Sequence, residues 1–479
     1  MEWRILLAFA LSALVLLLYP VVMRRFLPPP AAPGQPAAVS VPAPPPQASP
    51  AVAAAPAVSA PRQAAQQTET VVENDLYRVA FSNRGAVVKS WTLKRYRDER
   101  GRPLELVNQP AAARFSYPFS VWSEDEALGN KLKEALFQVR ATGGHAPATI
   151  TFEFSDGTLW ARKEFRFEKG SYVAEVSSTV QEGTKPAAHL LAWQGSFGDQ
   201  SVANASQTVG VVTATPARMA RHGYRDIKQE SRLSGPFTYA GLEDLYFAAV
   251  YMPPDGAPAD AAIAAVRTFR SEYRAEGSQA AQPLIGVGVG GAGQNRLRVF
   301  VGPKALDVLN SVHPEPDATQ RLRQGQPVLT LGDLVDFGWF SFIAKPLFLA
   351  LKWVYDHLVP NYGWAIVLIT VVINVLLFPL KLKSMRSALK MQKIAPQIKA
   401  IQEKYKKLKL NDPRRQQQNQ EVMDLYRKHG INPMGGCFPM LLQIPFLYAF
   451  YKVLALSIEM RQAPWILWIR DLSAKDPYY

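Results

Sequence analysis

Thr370 and Asn374 stand four residues apart inside WAIVLITVVINVLLFPL (364–380), an apolar run with no formal charge. That spacing puts both on one face of a helix. Gln443 lies in a second apolar run, FPMLLQIPFLYAFYKVLALSI (438–458), whose one charge is Lys452. Polar groups in hydrocarbon need partners or water. One reading is hydrogen bonding between helices, worth about 0.6 kcal/mol each. The other is a wetted groove. Asn374 precedes Lys381 by seven residues, which is roughly 10 Å of helix. Gln443 follows Phe438 by five residues, a similar depth, and Thr370 lies nearer mid-membrane. Matched depth brings the groove level with the bonding reading; it would open to the side on which Lys381 lies, while Lys452 snorkels to the far face.

Other chemistry is hard to assemble from this chain. The six histidines (His145, His189, His222, His313, His357 and His429) show no H-E-x-x-H spacing, and Cys437 is the one cysteine. No disulfide framework or cysteine-based metal cluster follows from that. No G-x-x-x-x-G-K-[ST] loop or G-x-S-x-G elbow is present. Gly286-Val-Gly288-Val-Gly290-Gly291 matches G-x-G-x-x-G, but AGQNRLRVFVGP after it reads as a strand, so a glycine-rich hairpin is expected. The sequence therefore predicts no enzyme, no cofactor and no metal.

The elements around these residues alternate between membrane-like and soluble textures. Hydrophobic residues make up 48% of the 479, and 54 basic against 39 acidic residues give a net charge of +15. Residues 1–27 carry ILLAFALSALVLLLYPVVM, 19 residues without a charge, about one hydrocarbon core in length. An uncleaved anchor is expected there rather than a signal peptide, which would have a shorter apolar run. Residues 28–67, rich in Pro and Ala, read as an extended tether. From 68 to 330, runs such as ATITFEFSDG and RLRVFVGP alternate with period two, predicting a large antiparallel β-sandwich. Helical pieces fit near Lys304 to Val312.

Residues 331–361 suggest a helix in the membrane interface, with a buried core helix as the alternative. Spans are expected at 362–380 and 438–458, the latter followed by an outside segment, 459–479. Between the spans, 381–437 reads as a basic helical hairpin. Met391, Ile394, Ile398, Ile401 and Tyr405 form its apolar stripe, and Asp412-Pro413 opens its second helix. From Lys381 to Gly430 there are 14 Lys/Arg against four Asp/Glu. The positive-inside rule puts this hairpin in the cytoplasm and the β-domain outside.

Gly430-Ile-Asn432-Pro433-Met-Gly435-Gly436-Cys437-Phe438-Pro439, then LLQIPF and MRQAPWILWIRDLSAKDPYY, resemble the YidC-type membrane protein insertases. The order of anchor, β-domain, interfacial helix, span, basic hairpin and span is similar to that family along nearly the whole chain. The resemblance implies a mixed fold class: an α-helical inner-membrane core plus a large all-β, supersandwich-like periplasmic domain. It implies an insertase and chaperone for inner-membrane proteins, working alone or with the Sec translocon. Nascent membrane proteins would enter a hydrophilic groove lined by Thr370, Asn374 and Gln443. Their apolar segments would slide into the lipid bilayer along Ile444 and Leu447. Lys393, Lys399, Lys406 and Lys407 of the hairpin would meet a ribosome, a targeting receptor or anionic lipid, unless they are simply a solvated face. No specific nucleic-acid sequence is expected as a partner. The alternative is an anchored periplasmic β-sandwich that binds sugars or peptides. Two departures stand out. Aligning Thr370 and Pro379 with the family's second span puts Asn374 where that family carries an arginine. The family also continues into two further spans, so the chain looks truncated after Tyr479.

Overall fold

The computed structural model describes residues 61–479 except 203–204, 217, 229, 259–262, 275–280, 316, 318–323, 325–328, 407–413, 431–437 and 474–479. Of 383, 388, 415 and 438–442 it describes the backbone alone. The described residues belong to the second of two units, Met1–Pro56 and Ala57–Tyr479. The expected anchor at 1–27, the tether as far as residue 60, the Asp412-Pro413 helix start and Cys437 lie outside the described residues.

The last residues of the expected tether are not free. Arg62 and Ser155 exchange backbone hydrogen bonds of 2.8 and 2.9 Å, and Ala64 N–H donates to the Leu136 carbonyl at 3.0 Å. Arg62 also pairs with Glu153 at 2.7 Å. Composition missed this strap because main-chain groups carry it, completing backbone positions at the end of a strand.

Period-two alternation appears as expected. In Ala148–Ser155 the side chains of Ala148, Ile150, Phe152 and Phe154 are buried while Thr149, Thr151 and Glu153 between them are half-exposed. Such strands form antiparallel sheets of four, ten and five strands. In the largest, Gln294–Pro303 lies between Phe247–Met252 and Val173–Glu182. Tyr77, Phe81, Trp91, Phe119, Phe165 and Trp193 fill the core, each contributing about 1.5–3 kcal/mol by burial.

The glycine-rich segment is not a hairpin within one sheet. Gln282–Gly290 belongs to the five-stranded sheet and Gln294–Pro303 to the ten-stranded one, so residues 291–293 carry the chain between sheets. Close approach explains the glycines. A Cβ on Gly286 would stand 2.6 Å from the Trp193 carbonyl oxygen, and Gly290 has φ 139° with Asn295 against it.

One core position is a lysine. Lys163 faces inward in Leu159–Phe167, fully buried. Its ammonium donates to the carbonyls of Gly85 (2.9 Å), Ala86 (3.0 Å) and Phe119 (2.7 Å). All three acceptor residues have positive φ, at 73°, 49° and 64°. Burial pulls the Lys163 pKa down to about 7. The three carbonyls oppose that pull, because only the charged form has three hydrogens to give.

Beneath the β-domain come four helices: α1 (Ser341–His357), α2 (Tyr362–Lys404), α3 (Arg414–Lys428) and α4 (Phe438–Leu456). Helix α1 has a buried side, as the core-helix alternative expects, and an open apolar side. Ala344, Phe348, Leu351 and Val354 are buried, whereas Phe342, Leu349 and Trp353 are exposed on its other side. Lys345 and Lys352 pair with Asp333 and Asp356, each at 3.5 Å.

Helix α2 is one helix of 43 residues containing Pro379 and Pro396. The expected span at 362–380 and the first arm of the expected hairpin lie on this one helix, because the end of the charge-free sequence near residue 380 ends the apolar run without ending the helix. At 1.5 Å per residue it is roughly 64 Å long, twice a hydrocarbon core. It is long and apolar enough to cross a membrane.

After α4 the chain returns to the β-domain. Arg461 and Asp199 form an ion pair with side chains 6% and 4% exposed. The Arg461 guanidinium also donates to the Arg97 carbonyl at 3.0 Å and lies against the rings of Tyr246 and Phe247. Gln462 adds a 2.9 Å bond to the same carbonyl.

Beside this clasp, the Glu459 carboxyl has a buried oxygen with no partner among the described residues. Burial pushes its pKa up to about 7, Asp307 adds to the rise, and Lys352 opposes it. Folding therefore takes up a proton between about 4.5 and 7, and stability falls as pH rises through that window. Glu459→Gln is expected to gain on the order of 2 kcal/mol near pH 8 and almost nothing near pH 5. Denaturant titrations at the two pH values check this, and an equal gain at both would refute the assignment.

Candidate functional site

The residues singled out for a groove fall on α2 and α4. Thr370 and Asn374 are exposed on α2, and the Asn374 amide donates to the Thr370 carbonyl at 2.8 Å. That is a bond back along one helical turn. The Asn374 side-chain oxygen then accepts from the Lys381 ammonium at 2.6 Å. A polar chain thus runs about three turns up an apolar surface that includes exposed Val371, Val375, Leu376 and Phe378.

Lys381 is the functional candidate that sequence reasoning missed. It had served to mark the inner boundary of the span. Its spacing of seven residues is two helical turns, the same face as Asn374, and that signal was available. The position matters because 374 carries no charge of its own. A cation arrives there from two turns away.

Gln443 is half-buried on α4, and among the described residues no hydrogen bond joins it to Asn374 or Thr370. The face expected to meet clients is open. Ile444 and Leu447 are 51% and 60% exposed, and Tyr448 and Tyr451 extend the same stripe at helical spacing. Behind it Ala449 and Val453 are buried, and Phe340 packs edge-on to Tyr448 at 5.4 Å. One side of α4 faces its own protein and the other is free for an apolar visitor.

The basic hairpin is partly described. Ile394 and Tyr405 of the apolar stripe are buried, and Met391, Ile398 and Ile401 half-buried. Glu421 of α3 accepts from Lys404 at 2.9 Å and from the Tyr405 hydroxyl at 2.8 Å, which closes α3 onto α2. Lys393, Lys399 and Lys406 are exposed; Lys407 lies outside the described residues.

Comparison with known proteins matches this arrangement along its length. Residues 69–350 match the YidC periplasmic domain, and residues 353–479 match the 60Kd inner membrane protein family. The membrane protein insertase YidC of Geotalea daltonii is 32% identical over all of this chain and 87% of its own length. That of Syntrophus aciditrophicus is 30% identical with the same coverage. The chain belongs to the YidC family of membrane protein insertases. An active YidC insertase crystal structure with the first transmembrane domain resolved is 19% identical, with a TM-score of 0.29 over 87% of this chain and 79% of its own. Family membership carries the expected fold class, a β-rich periplasmic domain joined to a helical YidC core. It also carries insertase activity on membrane proteins and an inner-membrane setting. The alternative of an anchored sugar- or peptide-binding sandwich yields to that assignment.

Proposed function

We propose that clients enter this YidC-family insertase through a hydrophilic groove in the inner leaflet, formed by Thr370, Asn374 and Gln443 and charged by Lys381. The observation that carries the reading is the Lys381–Asn374–Thr370 hydrogen-bonded chain on an exposed apolar helix. An ammonium placed there attracts the acidic or polar tail of a client and lowers the cost of drawing it into the membrane. Apolar client segments move along Ile444 and Leu447 into lipid, driven by partitioning at roughly 0.3–0.6 kcal/mol per apolar residue. No catalytic chemistry or cofactor takes part.

The accompanying topology is multi-pass: the anchor at 1–27, α2 through its first half and α4 cross the membrane. The β-domain of 68–330 and the segment after 458 lie in the periplasm, and 381–437 lies in the cytoplasm. Helix α1 lies at the periplasmic surface with Phe342, Leu349 and Trp353 toward lipid. The hairpin lysines Lys393, Lys399, Lys406 and Lys407 receive a ribosome or targeting receptor, and the protein acts as a chaperone alone or beside the Sec translocon.

The test is insertion of a client with a negatively charged periplasmic tail, at matched protein levels. Asn374→Leu removes the acceptor that draws Lys381 inward and lets it snorkel to the interface. Lys381→Met removes the cation. Each is expected to weaken engagement by about 1 kcal/mol, roughly five-fold. Asn374→Arg should be close to neutral, and Lys381→Met combined with Asn374→Arg should recover the loss. Undiminished insertion by both single variants would sink the groove reading.

A further inference from the structure

Beyond the fourth helix, a short closed turn carries three large apolar side chains. The Trp465 N–H donates to the Ile469 carbonyl at 3.0 Å, and the Ile469 N–H donates to the Ile466 carbonyl at 3.1 Å. Inside that closure Ile466, Leu467 and Trp468 are 44%, 77% and 44% exposed. Leu467, at the apex, has φ 55°. The left-handed region costs a leucine about 1–2 kcal/mol, a penalty that glycine would not incur. A strained backbone thus holds out an apolar side chain.

The base of the turn is fixed to the first turn of α2. The Asn361 amide donates to the carbonyls of Pro464 (3.1 Å) and Trp465 (3.3 Å). The Trp465 indole lies so close to Gly363 that a Cβ there would meet a ring carbon at 2.1 Å. Its ring also stands 6.0 Å from that of Trp364, at 76°. The tip is therefore mounted on a helix end and has a defined height along the α2 axis.

We infer that the 465–469 turn is a hydrophobic wedge inserted in the periplasmic leaflet, at the boundary of headgroups and acyl chains. Lipid is favoured over a protein partner by continuity. Trp364, beside the turn, and Trp353, just before the α1–α2 connection, are both exposed. Together with Trp468 they make an aromatic band of the kind that marks a membrane interface. Exposed Arg470 follows the closed turn, three residues past the apex, placed to meet lipid phosphate while Leu467 enters the chains. The inference rests on the topology proposed above, which puts the start of α2 at the periplasmic surface.

The experiment uses the full chain with Cys437→Ser and an environment-sensitive fluorophore on Leu467→Cys, in vesicles of phosphatidylethanolamine with a minor fraction of phosphatidylglycerol. A second label on Ile466→Cys guards against a local defect at the apex. The expected result is blue-shifted emission, quenched more by lipid nitroxide near the headgroup than by nitroxide deep in the chain. Emission as in water overturns the wedge. Blue-shifted emission that no lipid nitroxide quenches means a protein surface covers the turn, and also overturns it. Topology is read separately: a cysteine at exposed Lys169 should react with an impermeant reagent in whole cells. Failure there would overturn the topological reading and the leaflet assignment with it.

Discussion

Arg461→Met is expected to cost about 3–5 kcal/mol, the usual consequence of leaving one member of a buried ion pair alone. Asp199 would be left without its cation in a site that is 4% exposed, and the Arg97 carbonyl would lose a donor. Two further groups raise the cost. Asp199 N–H donates to the Asp244 carboxylate at 3.0 Å, and that carboxylate also receives the Tyr246 and Phe247 N–H groups. Loss of Arg461 therefore loosens the loop whose aromatic rings it covers. The readout is denaturant unfolding of the detergent-solubilised protein, together with tryptic cleavage around Arg97, Arg100 and Arg102. Pairing Arg461→Met with Asp199→Leu should recover much of the stability, because no charge is then left buried. A single variant within about 1 kcal/mol of the parent, with unchanged cleavage, would show that the clasp holds nothing.

Lys163→Met is expected to lose on the order of 3 kcal/mol. Methionine fills the space of the lysine stem but cannot donate, so three carbonyl oxygens lose their shared partner, and buried acceptors without partners cost about 1–3 kcal/mol each. The loss is partly offset because the mutant no longer buries a charge. At 2–4 °C per kcal/mol for a domain of this size, the melting point should fall by roughly 6–12 °C. Lys163→Arg is no rescue: a planar fork does not match three carbonyls converging on a point-like ammonium. A melting point within about 2 °C of the parent would show that the carbonyl cradle forms without its cation.

The sequence was legible where local pattern and structure share a period. ATITFEFS alternates and its side chains alternate. The stripe of Ile394, Ile398 and Tyr405 is turned inward as its spacing requires. The same rule concealed Lys163, since an inward position in an alternating strand reads as apolar, and its three acceptors lie 44 to 78 residues away. Likewise Arg461 meets Asp199 across 262 positions, a pairing that no window of sequence displays. The proposed groove is half visible in the sequence: Thr370 and Asn374 stand out as polar residues in an apolar run, but Lys381 lies at its end. Lys381 then reads as an edge marker, although its flexible stem reaches two turns back. Hydropathy marks the end of the apolar run near residue 380, and the helix itself continues past it to Lys404.

Because α2 runs unbroken from Tyr362 to Lys404, its proline has a mechanical meaning. Pro379 has no N–H to give the Val375 carbonyl, so the rod is softened just past Asn374. Asn374 lies on one side of that joint and Lys381 on the other, and their hydrogen bond is a tie strung across it. A load applied to the basic hairpin reaches this joint through some 25 residues, roughly 37 Å from Pro379 to Lys404, a length that Pro396 interrupts. Flexing at the joint toward the tie shortens the span between the two side chains. Flexing away pulls the ammonium off the amide. Bending at Pro379 and the distance between the Lys381 ammonium and the Asn374 amide are thus coupled.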